Sequence, residues 1–184
     1  MSFFIKPDAA IIWRGPQKFK AIQNFLSQVE WGSLDYLVMD LPPGTSDEPI
    51  TVAQQIPDSD GVIIVTTPQD VATQDVRKSI IFASKMKMPV IGVIENMSGF
   101  TCPHCGENTA IFNQFGGKRL AESMQVNFLG SIPLDPDISE GGDKGEPFVN
   151  NPDSSITKEF NKLVINLDKQ LKDPNAKQLP TPVF

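Results

Sequence analysis

Residues 34–45 read LDYLVMDLPPGT. A mostly apolar run ends in a carboxylate, Asp40, and the chain then turns through Pro42, Pro43 and Gly44. The run over 34–40 predicts a short strand buried on both faces, as in a parallel sheet covered by helices. A strand ending in Asp is how many nucleotide-hydrolysing folds set a carboxylate beside Mg²⁺. The prolines stiffen the exit, and Gly44 lets a backbone N–H approach a phosphate closely. The alternative is an Asp that only caps the next helix, with prolines that merely turn the chain.

The rest of the chain repeats the alternation of strand and helix. Upstream, Phe19, Ile22, Leu26 and Val29 recur at helical spacing, Phe25 widens the stripe, and Pro16 suits a first turn. They predict an amphipathic helix over residues 17–30. Downstream, helices are expected over 47–56, 70–86, 117–124 and 154–171. The first of these has Ser46 or Asp47 as cap and Pro49 in its first turn. Strands are expected over 61–67 (GVIIVTT), 89–94 (PVIGVI) and 128–132, with a loop containing both cysteines after the second of these. Val76, Ile80, Ile81 and Ala83 form the expected core face of the 70–86 helix. Ile156, Phe160, Leu163, Val164 and Leu167 form that of the last. The pattern predicts a three-layer α/β fold, with a mostly parallel sheet flanked by helices. Ligands of such sheets bind beyond the carboxyl ends of the strands. Residues 1–171 are expected to form a single domain, and 172–184, with three prolines, a loose tail.

Composition narrows the function. The 184 residues are 40% hydrophobic and 21% charged, ordinary for a globular protein and unlike a coiled coil or a collagen. Sixteen basic and 22 acidic residues give a net charge of -6. That balance argues against a nucleic-acid partner held by phosphate contacts, but not against a single nucleotide in a local site. No stretch approaches the roughly 18 apolar residues of a membrane span. Residues 1–6 (MSFFIK) lack the charged start and apolar run of a secretion signal, so the expected compartment is the cytoplasm.

The two cysteines, Cys102 and Cys105, lie in the string CPHCG. They are too close in sequence to staple distant parts of a fold, and such a reduced pair points to metal or redox chemistry. In a C-P-x-C-G turn the proline fixes the entry, and the glycine lets the backbone fold back so that amides face the thiolate sulfurs. Two thiolates are half of what tetrahedral zinc or an iron–sulfur cluster needs. The other two ligands come most simply from the same turn of a second chain. A redox dithiol and an unligated pair are the alternatives. His104, the only histidine, sits inside the turn, so no catalytic triad or multi-histidine site can be built from one chain.

Three further places are candidates. Glu95-Asn96 ends the third expected strand. Gly116-Gly117-Lys118 could open a helix onto an anion, or could be a helix entry with a solvated lysine. Arg14 is a candidate interface or phosphate contact.

Several stretches together resemble the Mrp/ApbC family: WRGP (13–16), VEWGSLDYLVMDLPPGTSDEPITVAQ (29–54), VIENMSGFTCPHCG (93–106), FGGKRLAE (115–122) and SIPLDP (131–136). These are P-loop ATPases related to the MinD/ParA group that act as iron–sulfur cluster carriers, and the resemblance runs to about residue 170. It implies a labile [4Fe-4S] cluster bridging two chains through Cys102 and Cys105, handed to apo iron–sulfur proteins. It also implies Mg-ATP, with Asp40 holding Mg²⁺ through water and Gly44 sensing the γ-phosphate. Asn96 would bind the adenine ring, with Pro133 and Asp135 as the other wall of the base pocket; read alone, an Asn after a strand is as readily a turn residue. The non-enzymatic alternative is a dimerisation module stapled by Zn²⁺ at the same four cysteines. The string G-x-x-x-x-G-K-[ST] of a phosphate loop does not occur: Gly117-Lys118 is followed by Arg119, and only 39 residues precede Asp40. The chain therefore reads as the C-terminal two thirds of the family domain.

Overall fold

The structure, a computed structural model, describes residues 12–173. The expected tail beyond Asp173 and the first eleven residues lie outside that range. By backbone contacts the chain divides into two compact units, Met1–Pro57 and Asp58–Phe184.

In the first unit, α1 (Gly15–Gln28) and α2 (Asp47–Gln55) pack together. Pro16 occupies the first turn of α1 as expected. Pro49, Thr51, Val52 and Ala53 of α2 are buried, whereas no residue of α1 is, and its Phe25 and Val29 are exposed. Lys18 Nζ on α1 meets Glu48 Oε1 on α2 at 2.7 Å.

The strand expected over residues 34–40 is absent. The segment is irregular, and no ladder pairing among the described residues includes it. Leu34, Tyr36, Leu37 and Val38 are exposed, Val38 at 84%. The physical reason is that apolar patterning reports a preference for burial, while a strand also needs a neighbour for its N–H and C=O groups. Asp40 therefore does not end a strand here.

In the second unit, β1 (Val62–Thr66), β2 (Val90–Thr101), β3 (Asn108–Thr109) and β4 (Phe128–Leu134) form one mixed sheet. β2 is central. It pairs in parallel with β1 (Val65 opposite Ile94, Thr66 opposite Glu95) and with β4 (Glu95 opposite Ser131, Asn96 opposite Ile132). Beyond Asn96 it runs on and pairs antiparallel with β3, Phe100 opposite Thr109 and Thr101 opposite Asn108. The expected loop after residue 94 is thus partly a strand and a hairpin, its pairing hidden because Met97, Ser98 and Gly99 break the apolar run. Helices α3 (Asp70–Lys85), α4 (Gly116–Met124), α5 (Pro136–Lys144) and α6 (Ser155–Lys172) accompany the sheet. α5, which the sequence reading lacked, starts with Asp135 as cap and Pro136 in its first turn, and carries Gly141 and Gly142 where a helix is not expected.

The core follows the patterning in outline. Ile80 and Ala83 of α3 are 0% and 1% exposed, and Val93 of β2 is 0%. Leu163 of α6 packs with Ile94 and Leu129, with Ile63, Ile132 and Leu167 around them. Phe160 meets Phe148 edge to face, ring centres 5.4 Å apart. Val164, expected on the core face of α6, is exposed. Among the described residues no helix is long and apolar enough to cross a membrane.

Candidate functional site

The cysteines sit at the tip of the β2–β3 hairpin. Thr101 ends β2 and Cys102 follows at once. The N–H of Cys102 donates to Glu107 O (2.9 Å), closing the hairpin, and the N–H of Gly106 donates to Cys102 O (2.8 Å), closing the turn. Gly106 takes φ +74, the left-handed conformation that a glycine adopts without strain. Folding back in this way aims amides at Cys102. The N–H of Cys105 first, then that of His104, then the Cys105 thiol hold the Cys102 thiol below the usual cysteine range, against a small desolvation effect. Cys102 is half-buried, while Cys105 and His104 are exposed. The two sulfurs are thus presented from one rigid turn, with donors already placed for a thiolate. No group of three or more His, Cys, Asp or Glu suited to a metal occurs among the described residues.

Asn96 lies opposite Ile132 of β4, so Pro133 follows on the neighbouring strand and Asp135 just beyond its end. The structure brings these three to one sheet end. Asn96 Oδ1 accepts the N–H of Met97 (2.9 Å), a turn contact, and Asp135 Oδ1 accepts the N–H of Asp137 (2.9 Å) as the cap of α5.

Glu95 is the residue that the sequence reading named without a role. It is fully buried on the central strand. Its Oε1 accepts the N–H of Phe115 (2.8 Å), its Oε2 the N–H of Gly117 (2.6 Å), and the hydroxyl of Ser98 donates to Oε1. The anion at the start of α4 is therefore the protein's own carboxylate, which suits both the free N–H groups and the positive end of the helix. The helix start is tightly packed at both glycines, against backbone at Gly116 and against side chains at Gly117. A Cβ on Gly116 would run into Pro68 O, with Pro68 C at 2.7 Å, and one on Gly117 would meet Thr66 Cγ2 at 2.9 Å. Lys118 is exposed. The signal for Glu95 was available: it is the one charge in the run PVIGVIE.

Asp40 and Gly44 belong to the first unit, and both are exposed. Gly44 takes φ +92 with open space where a Cβ would stand. Arg14 is the cap residue of α1, its N–H donating to Gln17 Oε1 (3.0 Å).

A family model described as ParA, the NUBPL iron-transfer P-loop NTPases, matches residues 1–168. The chain belongs to the ParA/NUBPL family of iron-transfer P-loop NTPases. This ParA/NUBPL chain is 51% identical, over 163 residues, to an iron–sulfur cluster carrier protein of Methanocaldococcus jannaschii, covering 88% of this chain and 56% of that protein. It is 47% identical, over 164 residues, to a cytosolic Fe-S cluster assembly factor NUBP2 homolog of Dictyostelium discoideum, covering 88% of this chain and 62% of that one. It therefore spans little over half the length of these relatives. Among solved structures, a nucleotide-binding protein of Archaeoglobus fulgidus in complex with ADP, with Co found by PIXE, superposes with TM-score 0.66 at 39% identity, over 78% of this chain and 58% of that one. The cell division ATPase MinD of Pyrococcus furiosus superposes with TM-score 0.59 at 22% identity, over 87% and 63%, and speaks to the fold alone. The P-loop NTPase fold class inferred from the sequence is thus shown, the sheet being parallel except where β2 meets the two-residue β3.

Proposed function

We propose that this chain is an iron–sulfur cluster carrier, in which Cys102 and Cys105 of two copies hold one [4Fe-4S] cluster as cargo for apo iron–sulfur proteins of the cytosol. The observation that carries the reading is the hairpin tip, with two thiols in one turn and two backbone N–H groups facing the Cys102 sulfur. Two thiolates cannot complete a four-thiolate site alone, and the relatives named as cluster carriers or assembly factors support the cargo. The remaining roles are proposals on the same footing. Asp40 holds Mg²⁺ through water and Gly44 faces the γ-phosphate. Asn96, with Pro133 and Asp135, takes the adenine ring. Hydrolysis of ATP belongs to a protein that also carries a phosphate loop. We further propose that residues 1–171 act as one nucleotide-binding-type domain.

Anaerobic reconstitution with iron and sulfide tests the reading. A broad visible absorption band that disappears in Cys102→Ala, with light scattering moving from monomer to dimer as the band grows, is the expected result. A stable monomer carrying a full cluster overturns the bridging arrangement. A colourless protein holding one zinc per two chains replaces the carrier with a zinc-stapled dimer, because tetrahedral zinc accepts the same four thiolates.

A further inference from the structure

The direction in which the cysteine hairpin leaves the sheet is set over three residues. β2 is paired with both β1 and β4 at Glu95 and with β4 alone at Asn96, and its pairing resumes at Phe100–Thr101, with β3 and, at Phe100, with β4. Between them Met97 takes φ +57 and Gly99 φ +76. Left-handed backbone is unfavourable for a side chain such as that of Met97, and it persists only where the surroundings hold it. Ser98, between the two, is what the surroundings hold: its hydroxyl donates to the buried carboxylate of Glu95. That carboxylate is in turn fixed by the N–H groups of Phe115 and Gly117 at the start of α4. The far side of the elbow is braced as well. Gln114 Nε2 donates to Asn108 Oδ1 (3.0 Å), Asn108 Nδ2 donates to Thr101 Oγ1 (3.3 Å), and Gly99 has no Cβ because Gln114 fills that space, its Cδ lying 3.1 Å from where one would stand.

We propose that Glu95 is a positioning residue for the thiolate pair: through Ser98 its carboxylate locks the Met97–Gly99 elbow, and the elbow fixes where Cys102 and Cys105 point. The proposal rests on the reading that these thiols bind metal. A four-thiolate site shared by two chains requires both turns to project along compatible directions, and geometry held too loosely loses affinity. Residues that orient ligands from behind typically change metal affinity 10- to 100-fold when removed. Glu95 has two separable jobs. Its amide contacts cap α4, which is structural, whereas the Ser98 contact serves only the elbow. Ser98→Ala removes the second and leaves the first.

The test uses the reduced full chain titrated anaerobically with Co(II), read by thiolate-to-cobalt charge-transfer absorption, beside thermal unfolding of the metal-free protein. Ser98→Ala is expected to weaken Co(II) binding about tenfold while the metal-free melting temperature falls less than in Glu95→Gln, and Ser98→Thr, which keeps the hydroxyl, is expected to restore binding. Glu95→Gln is expected to lower both affinity and melting temperature. Wild-type Co(II) affinity in Ser98→Ala overturns the proposal, as does a Glu95→Gln protein that melts early yet binds Co(II) normally. A wild-type chain that takes up no Co(II) overturns the thiolate reading itself, an outcome distinguishable because it appears without any substitution.

Discussion

Substituting Gly116 by Ala separates two accounts of the FGGK string. If the glycines serve an external anion, an added methyl at Gly116 costs ligand binding and leaves the fold nearly unchanged. The structure says the opposite. The Cβ would collide with Pro68 O and lie 2.7 Å from Pro68 C and 2.9 Å from Pro68 Cα. All three are backbone atoms of the turn between β1 and α3, so no rotamer change relieves the contact. Overpacking of this kind costs roughly 1–3 kcal/mol, offset by a gain of up to about 1 kcal/mol from replacing glycine in a helix. A net loss of about 1–2 kcal/mol lowers the melting temperature of a chain this size by roughly 2–8 °C. Gly142→Ala is the control. It also lies within a helix, α5, but nothing stands within 4 Å of its would-be Cβ. There only the helix gain remains, and a rise of about 1–4 °C is expected. Circular dichroism melts of both variants beside wild type make the comparison. A Gly116→Ala protein as stable as wild type, or one that tracks Gly142→Ala, refutes the packing account.

Three other outcomes follow from the same structure. Lys18 and the Ser46 hydroxyl, with a backbone N–H, hold the Glu48 carboxyl down to about 2 from 4.5. Because the folded value is the lower one, the contribution is fully present above pH 4.5 and disappears as pH falls through about 2. The stability gap between wild type and Glu48→Gln in urea titrations should therefore close over that range, and a constant gap refutes it. Leu163→Ala, at the centre of the cluster with Ile94 and Leu129, should cost roughly 2–5 kcal/mol, measured by chemical unfolding; a loss below 1 kcal/mol would show that α6 does not carry the core. The sequence holds no phosphate-loop string, and charge-assisted phosphate contacts contribute roughly 1.5–3 kcal/mol each. Mg-ATP should then bind the 184-residue chain no better than about millimolar, with no measurable hydrolysis, and a micromolar constant by calorimetry would show a phosphate site built from other residues.

What the sequence made legible was whatever depends on local pattern. Helices α1, α2, α3, α4 and α6 fall within two residues of their expected bounds, because amphipathic spacing and first-turn prolines are local signals. The cysteine turn was readable for the same reason, since proline and glycine dictate its shape. Pairing was not readable. Residues 34–40 are largely apolar, as β1 is, yet of the two only β1 has a ladder neighbour among the described residues. The extension of β2 to Thr101 depends on β3, a two-residue strand with no apolar signature. The role of Glu95 depends on α4 arriving beside it from some twenty residues away, which no spacing rule anticipates.

Under the bridging arrangement proposed above, cargo and assembly are one equilibrium, because a single copy offers only half of the ligands. The same arithmetic says how such a site releases what it holds. A recipient bearing two thiolates competes with the second copy for identical coordination positions, so delivery is an exchange of ligands and needs no free cluster in solution. The two sulfurs of one turn are not equivalent in that exchange. Cys102 is half-buried, and the N–H groups of Cys105 and His104 hold its thiol below the usual cysteine range. Cys105 is exposed. Under that arrangement Cys105 would be the more accessible of the two sulfurs to an incoming thiolate.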